Sequence, residues 1–461
     1  MERIIILGAG LAGITLANQL VEKYSVILVE RGPAQGMEFP ENSFLNRQFG
    51  SSNTYCYGVG GTTHLWHNGL IPLNPNELTP GPLADSLIST QDKIDQAANM
   101  LQFSGSYSKE YECSLERYRK VANDLSLDAE LDTILMPNRR PLLKPSEKVE
   151  LKSGCTVIDA FYSGEHLTEI KVKHAGGEEV LTADLFIVSA GGVSSPKVLN
   201  TLLPQEINSP ASKCLIDHPM GFLGKIRVKK NYQELLGQFA NKDVGDYTAR
   251  CGIVTRNNGL RHITYFRPAA TMSNKLGIYQ YKSKLGTSSL LGRIKCIFNP
   301  KIFHPDILHE IFLHLTGKSI STRTFSVWFV FEQNKKIAND NYVVLDSNAS
   351  NKISWSLSDA EINSYLESIS NVENLLAPYC DNVSFVKENI DRFLWSAAHH
   401  SGTVAFGSEP GSIDDNFKVN GTKNLYVCDA SIVNEHGYSN TGLTISLLTI
   451  KLSEHLKGLC K

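Results

Sequence analysis

The chain has 461 residues, of which 42% are hydrophobic and 20% charged, and its formal net charge is −2. That length exceeds one simple core and predicts two or three lobes, while the near-neutral balance gives no footing for nucleic acid. No stretch of the sequence reaches the roughly 18 uninterrupted apolar residues of a membrane-spanning helix.

The N-terminus opens with an apolar strand pattern, Arg3 to Leu7, followed by Gly8-Ala9-Gly10-Leu11-Ala12-Gly13 and a helical pattern through Leu16, Leu20 and Val21. A second strand pattern, Ser25 to Val29, ends at Glu30. This is the βαβ setting in which GxGxxG binds a dinucleotide. Gly8 makes the turn, Gly10 lets the backbone approach a pyrophosphate, and Gly13 lets helix and strand pack closely. Leu11 and Ala12 begin the helix whose N-terminus faces the phosphate charge, and Glu30 accepts hydrogen bonds from the adenosine ribose. The motif serves FAD and NAD alike; Glu30 argues only against a 2′-phosphate. Because these glycines follow the first apolar run at once, that run is not read as a signal peptide. Nine scattered cysteines without a CxxC pair agree with reduced thiols in a cytoplasmic protein, and no structural zinc or other metal is expected.

From Gly58 the chain reads GVGGTTHLWHNGL. The glycines suit a backbone running close to a flat ring, and Thr62 and Thr63 can bond phosphate or ribityl oxygens. This stretch resembles the glycine-pair segment of the glucose-methanol-choline family of FAD-dependent oxidoreductases, with Gly60 and Gly61 as the pair. The resemblance implies that the segment lies along the flavin. Family members with covalent FAD commonly carry a histidine four residues after the second glycine; Leu65 stands there, so non-covalent FAD is expected. Trp66 and His67 are expected to wall the substrate pocket or, equally, to form a packed indole beside a bonded histidine.

Residues 76–144 read as a polar, mostly helical excursion. Beyond Val149, two alternating strands joined at Gly176-Gly177 form a hairpin feeding Leu185 to Val188, read as the last parallel strand of the dinucleotide fold. Ser189 to Pro196 and the apolar helix after it match a second family segment. By the same resemblance Val157 meets the adenine, and Asp217-His218-Pro219 is the turn into the substrate lobe, with His218 structural. That lobe, 220–394, is strand-rich, with a hairpin at Asn257-Asn258-Gly259. Within it, residues 271–318 hold seven Lys or Arg against Asp306 and Glu310, so 7 − 2 = +5. Ile307, Leu308, Ile311, Phe312 and Leu315 share a helical face there, read first as a lid packed on the lobe and second as a peripheral membrane or partner contact.

Near the C-terminus, His399-His400-Ser401-Gly402-Thr403 resembles the family's H-x-x-G-T element. Its active-site histidine stands three residues before the glycine, which selects His399, with His400 beside the pocket. Imidazole titrates near neutrality and suits removal of a hydroxyl proton. Asn424 to Ser431 resembles the strand whose aspartate, Asp429, bonds the ribityl or pyrophosphate region, with Ala430 next to it. Asn440 falls where the family has His or Asn as second active-site residue, orienting the substrate oxygen. Thr441 replaces the usual proline, and with Gly442 and Leu443 it opens an apolar helix whose N-terminus faces the flavin.

The resulting expectation is an α/β protein. A discontinuous Rossmann-like FAD-binding domain (1–75, 145–219 and 395–461) accompanies a sheet-based substrate domain (220–394, with the excursion 76–144). Its function would be oxidation of an alcohol, such as a sugar, sugar derivative or polyol, with oxygen, a quinone or a protein as acceptor. The alternative is a non-redox flavoprotein of the same fold, such as a lyase.

Overall fold

The computed structural model describes residues 1–40, 42–44, 54–66, 68–139, 143–207, 209–240, 242–287, 299–316, 323–334, 340–345 and 351–459. Its first layer is a five-stranded, wholly parallel sheet. From one edge to the other the strands are Leu425–Val427, Leu185–Val188, Arg3–Leu7, Ser25–Val29 and Glu150–Lys152. Numbered along the chain, this is the order 5-4-1-2-3, the doubly wound arrangement of dinucleotide folds. Ile4, Ile5 and Ile6 alternate sides of the sheet, yet all three are fully buried. A central parallel strand covered on both faces requires that. Leu185–Val188 is not the last strand, as the sequence suggested, because Leu425–Val427 pairs outside it in register Phe186↔Leu425 to Val188↔Val427.

The C-terminal helix Thr441–Leu459 packs on the first helix, Leu11–Leu20, and on Gln91–Met100. The hydroxyl of Tyr24 donates to the carbonyl of Leu456 at 2.6 Å. The two ends of the described chain are thus joined in one core. An antiparallel meander of Thr156–Ser163, His166–His174 and Gly177–Thr182 precedes Leu185–Val188.

The second layer is an eight-stranded antiparallel sheet. Its hairpin Tyr247–Asn257 and Leu260–Pro268 turns through Asn258 and Gly259, both at positive φ. One of its strands is Glu130–Pro137, which pairs with the hairpin from Tyr247↔Pro137 to Val254↔Glu130. The sequence reading had placed that stretch in a helical excursion. The run Leu131-Asp132-Thr133-Ile134-Leu135 follows a genuine helix, Tyr107–Leu125, and only pairing with residues over a hundred positions away makes it a strand.

Of residues 271–318, the described part folds as helices Leu276–Thr287 and Pro305–Thr316 with a short 3-10 turn at Pro300–Phe303. Asp306 ties the second helix to the sheet through Lys225 at 3.1 Å, and Glu310 pairs with Arg267. The expected apolar stripe divides: Ile307 is 1% exposed, whereas Leu315 and neighbouring Phe303 are 78% and 75% exposed. The segment is therefore only partly packed as a lid. No helix among the described residues is long and apolar enough to cross a membrane.

Candidate active site

In this strand order the crevice opens where the connections diverge, beyond the C-terminal ends of Arg3–Leu7 and Leu185–Val188. A cleft lies there, lined by Gly8, Gly10, Leu11, Ala12 and Glu30 on one side and by Ser189 to Ser194 on the other. Its walls continue through Gly61, Thr62 and Val157 to His399, His400, Asp429, Ala430 and Thr441. The glycines divide their work. A Cβ on Gly13 would lie 1.8 Å from the carbonyl oxygen of Gly8, so Gly13 is needed for close packing of helix on strand. A Cβ on Gly10 would meet nothing within 4 Å and would project into open space. Gly10 is also the N-cap of Leu11–Leu20 and offers that helix no side-chain cap. The first-turn amides therefore remain a ready anion site, as a pyrophosphate would need.

Both acidic residues expected to touch the cofactor are also braces. Glu30 accepts from the backbone amides of Ala9 (2.8 Å), Gly32 (2.8 Å) and Gly58 (3.0 Å), joining the glycine turn to the glycine-pair segment. Asp429 accepts from Gly191 N (2.8 Å), from the Ser195 hydroxyl and from Ser431 N (2.7 Å). Burial pushes its carboxyl above the ordinary range despite those bonds.

The glycine-pair segment is a 3-10 turn, Gly61–Leu65. Thr62 lines the cleft, but Thr63 does not, because its hydroxyl turns back to the carbonyl of Gly60. Gly60 also stands behind the lining and donates its amide to Ala9 at 2.8 Å. His64 is folded onto its own turn, with Nε2 2.9 Å from the carbonyl of Val59. Trp66 packs on the C-terminal helix, its ring 2.9 Å from where a Cβ of Gly442 would be. It is therefore a packed indole beside the cleft and does not line it. His67 lies outside the described residues.

At the far end of the cleft, buried Asp217 organises the histidine segment. Its Oδ1 accepts from the amides of His218 (2.7 Å) and His399 (3.0 Å). Its Oδ2 accepts from the Ser396 hydroxyl and sits 3.2 Å from Nδ1 of His400. Burial acts to raise this carboxyl, but the His400 charge, its hydrogen bond and that of Ser396 outweigh it and hold the group at about 2. Ala398, just before the pair, has φ +63°, a conformation that favours glycine. The Ser396 hydroxyl accepts the Ala398 amide at 3.0 Å and holds it there.

The two adjacent imidazoles face different partners. His400 has Asp217 at Nδ1 and the Thr54 hydroxyl at Nε2, 3.2 Å away. His399 meets another imidazole, its Nδ1 lying 2.7 Å from Nδ1 of His218. His218 is fully buried and packs against His436, with ring centroids 3.9 Å apart and planes inclined at 51°. Burial, followed by the nearby His436 and His399 charges, drives His218 well below its ordinary pKa. Asn440 donates from Nδ2 to the carbonyl of Gly69 at 2.9 Å and stands beside the cleft, outside its lining. Thr441 lines the cleft at the start of its helix, with Gly442 and Leu443 buried behind it.

Comparison with known proteins bears on this arrangement. Residues 358–449, which include the histidine segment, Asp429 and Asn440, match the family model "GMC oxidoreductase", a C-terminal domain. Among solved structures, pyridoxine 4-oxidase from Mesorbium loti is similar, with a TM-score of 0.61 at 12% identity over 99% of both chains. A formate oxidase variant of Aspergillus oryzae RIB40 has a TM-score of 0.59 at 15% identity, covering 99% of this chain and 98% of its own. The C-terminal part of the chain thus resembles GMC oxidoreductases in sequence, and the whole chain shares its fold with these oxidases. No curated protein gave a match.

Asp217 and the ring role of His218 were missed by the sequence reading, which treated Asp217-His218-Pro219 as a turn. The available signal was a carboxylate and an imidazole side by side at the start of a buried strand, Pro219–Val228. Their partners stand 182 and 181 positions later along the chain.

Proposed function

We propose that this chain oxidises an alcohol to a carbonyl compound with non-covalent FAD, and that His399 is the base. The observation that carries this reading is His399 in the wall of the cleft, with its backbone amide on Asp217 and its Nδ1 on His218. A fixed imidazole near neutrality can take the hydroxyl proton as the alcohol carbon is oxidised. The cleft fits FAD, since the uncapped helix at Gly10 and the open space above it suit the pyrophosphate. Val157, in the cleft lining, would meet the adenine, and Gly61, Thr62, Ala430 and Thr441, also in the lining, would hold the flavin. When bound, FAD supplies the two-electron acceptor for the hydride. Non-covalent binding is favoured because Leu65 has no nucleophile and His64 is turned onto Val59. Asn440, held by its amide hydrogen on Gly69 beside the cleft, would offer its oxygen to a substrate hydroxyl.

Beside the sugar or polyol expected from sequence, the residues near Asn440 support a less polar alcohol. Next to Asn440, Gly69 lies against Ile134, and Ile134 belongs to a cluster with Val254, Ile263, Tyr265, Val330 and Tyr438. Met220, two positions beyond His218, and Trp328 pack on the same cluster. The partly exposed Met220 and Trp328, backed by this buried apolar cluster, would suit an alcohol carried on an aromatic or aliphatic group. Anaerobic mixing of the FAD-loaded protein with aromatic, aliphatic and sugar alcohols tests both parts. Bleaching of the flavin band by an aromatic or aliphatic alcohol, lowered about 100-fold or more in His399→Ala with FAD still bound, is expected. Faster bleaching by sugars overturns the substrate class, and an unimpaired His399→Ala overturns the base.

A further inference from the structure

The hydrogen-bond chain that starts at Gly437 fixes where the protons of two histidines reside. Nε2 of His218 lies 2.8 Å from the carbonyl oxygen of Gly437. A backbone carbonyl only accepts, so Nε2 of His218 must carry a hydrogen. The reverse tautomer would set two lone pairs against each other at that distance. His218 is fully buried, and the groups around its ring do not favour a second proton. They are the imidazoles of His436 and His399, with Arg261 adding positive charge beside Gly437 and His436. Asp217 supplies the nearby negative charge, but its two oxygens are directed at the His218 and His399 amides and at Ser396 and His400. His218 is therefore neutral, and its Nδ1 is an acceptor.

Nδ1 of His218 is 2.7 Å from Nδ1 of His399. For this contact to be a hydrogen bond, Nδ1 of His399 must be the donor. A neutral imidazole with its hydrogen on Nδ1 has its lone pair on Nε2. We infer that His218 is a positioning residue that holds His399 in the Nδ1–H tautomer and so leaves Nε2 of His399 as the proton acceptor of the site. The Gly437 carbonyl sets the first tautomer, and the second follows through two imidazoles. A carboxylate in the place of His218 would also accept from Nδ1, but it would bring a full charge and raise the imidazole's pKa. A neutral acceptor fixes the tautomer without that charge. His436, packed against His218 and driven to about 3, chiefly by burial and then by His399, remains neutral beside it.

The inference rests on the reading of His399 as the base, but its tautomer can be measured without turnover. In FAD-loaded protein labelled with 15N-histidine, long-range proton–nitrogen correlation distinguishes protonated from bare ring nitrogens, and His399→Gln identifies the His399 signals. Nδ1 protonated and Nε2 bare is the expected pattern in the wild type, and the opposite pattern overturns the inference. The second measurement compares His218→Leu with His218→Asn, whose side-chain oxygen can still accept from Nδ1 of His399. His218→Leu is expected to slow anaerobic flavin reduction roughly 10- to 100-fold and to lose the wild-type nitrogen pattern. His218→Asn is expected to restore the pattern and most of the rate. Equal loss in both variants with FAD retained, or an unchanged nitrogen pattern in His218→Leu, overturns the inference. If no alcohol reduces the wild-type flavin, alcohol oxidation is the reading that fails, while the nitrogen spectrum still decides the tautomer.

Discussion

Asp217 gathers two backbone amides, a serine hydroxyl and an imidazole onto one buried carboxylate, and removing its charge tests how far that arrangement holds the segment. Its folded-state pKa of about 2 lies below the ordinary carboxylate value. The stabilisation from this shift is therefore complete above the unfolded pKa of about 4 and is lost as pH falls through about 2. Asp217→Asn is expected to lower unfolding stability by about 3 kcal/mol at pH 7. In urea titrations the gap to wild type should narrow as pH falls toward 2. A gap that is constant with pH would show that the charge contributes nothing. Single residues were unevenly legible in the sequence. His399 and Asp429 could be picked out because each stands at a fixed spacing from a glycine or within a compact strand motif. Asp217 could not, because its four partners lie on both sides of it in space and three of them come from 396–400, far along the chain.

At the scale of elements, the first βαβ unit was readable almost completely, since Arg3–Leu7, Leu11–Leu20 and Ser25–Val29 are each set by local pattern. Its glycines give a paired prediction. Gly10→Ala places a methyl in open space at an ordinary negative φ, so the fold should persist with a melting temperature near that of the wild-type apoprotein while FAD affinity falls at least tenfold. Gly13→Ala drives its methyl into the Gly8 carbonyl, so it should lower the melting temperature of the apoprotein itself. Calorimetry without FAD, followed by flavin titration, separates the two, and equal melting temperatures would refute the division of roles. The strand Glu130–Pro137 was not legible by the same means. An apolar stretch of that length is compatible with helix or strand, and the decision rests on its partner Tyr247–Asn257. For Pro305–Thr316 the helix was read correctly, but periodicity alone could not say that Ile307 would be covered and Leu315 exposed.

Across the whole molecule, the parallel-sheet layer and the antiparallel sheet are joined near the histidine segment. Tyr438 donates to Asp132 at 2.8 Å, Leu70 and Leu135 exchange backbone hydrogen bonds at 2.8 and 3.0 Å, and Arg261 lies 3.8 Å from Glu435. Flavin binding should therefore stabilise both layers together. With free FAD at about 100 times its Kd, linkage adds roughly 2.7 kcal/mol, which for a chain this long raises the melting temperature by roughly 3 °C. Trp328, on the sheet, and the flavin itself should report one shared transition, and a sheet transition indifferent to FAD would show that the layers are uncoupled. The parallel sheet also has a temporal side. Its outer strand, Leu425–Val427, and the helix Thr441–Leu459 that covers the first βαβ unit are separated from Arg3–Leu7 by more than four hundred residues of chain. On a ribosome the glycine turn emerges early, but the cleft wall at Asp429, Ala430 and Thr441 and the helix that follows it are still unmade. Flavin capture must then be a late event. An arrested nascent chain lacking only these last elements would leave Leu185–Val188 an unpaired edge strand and the helix Leu11–Leu20 uncovered.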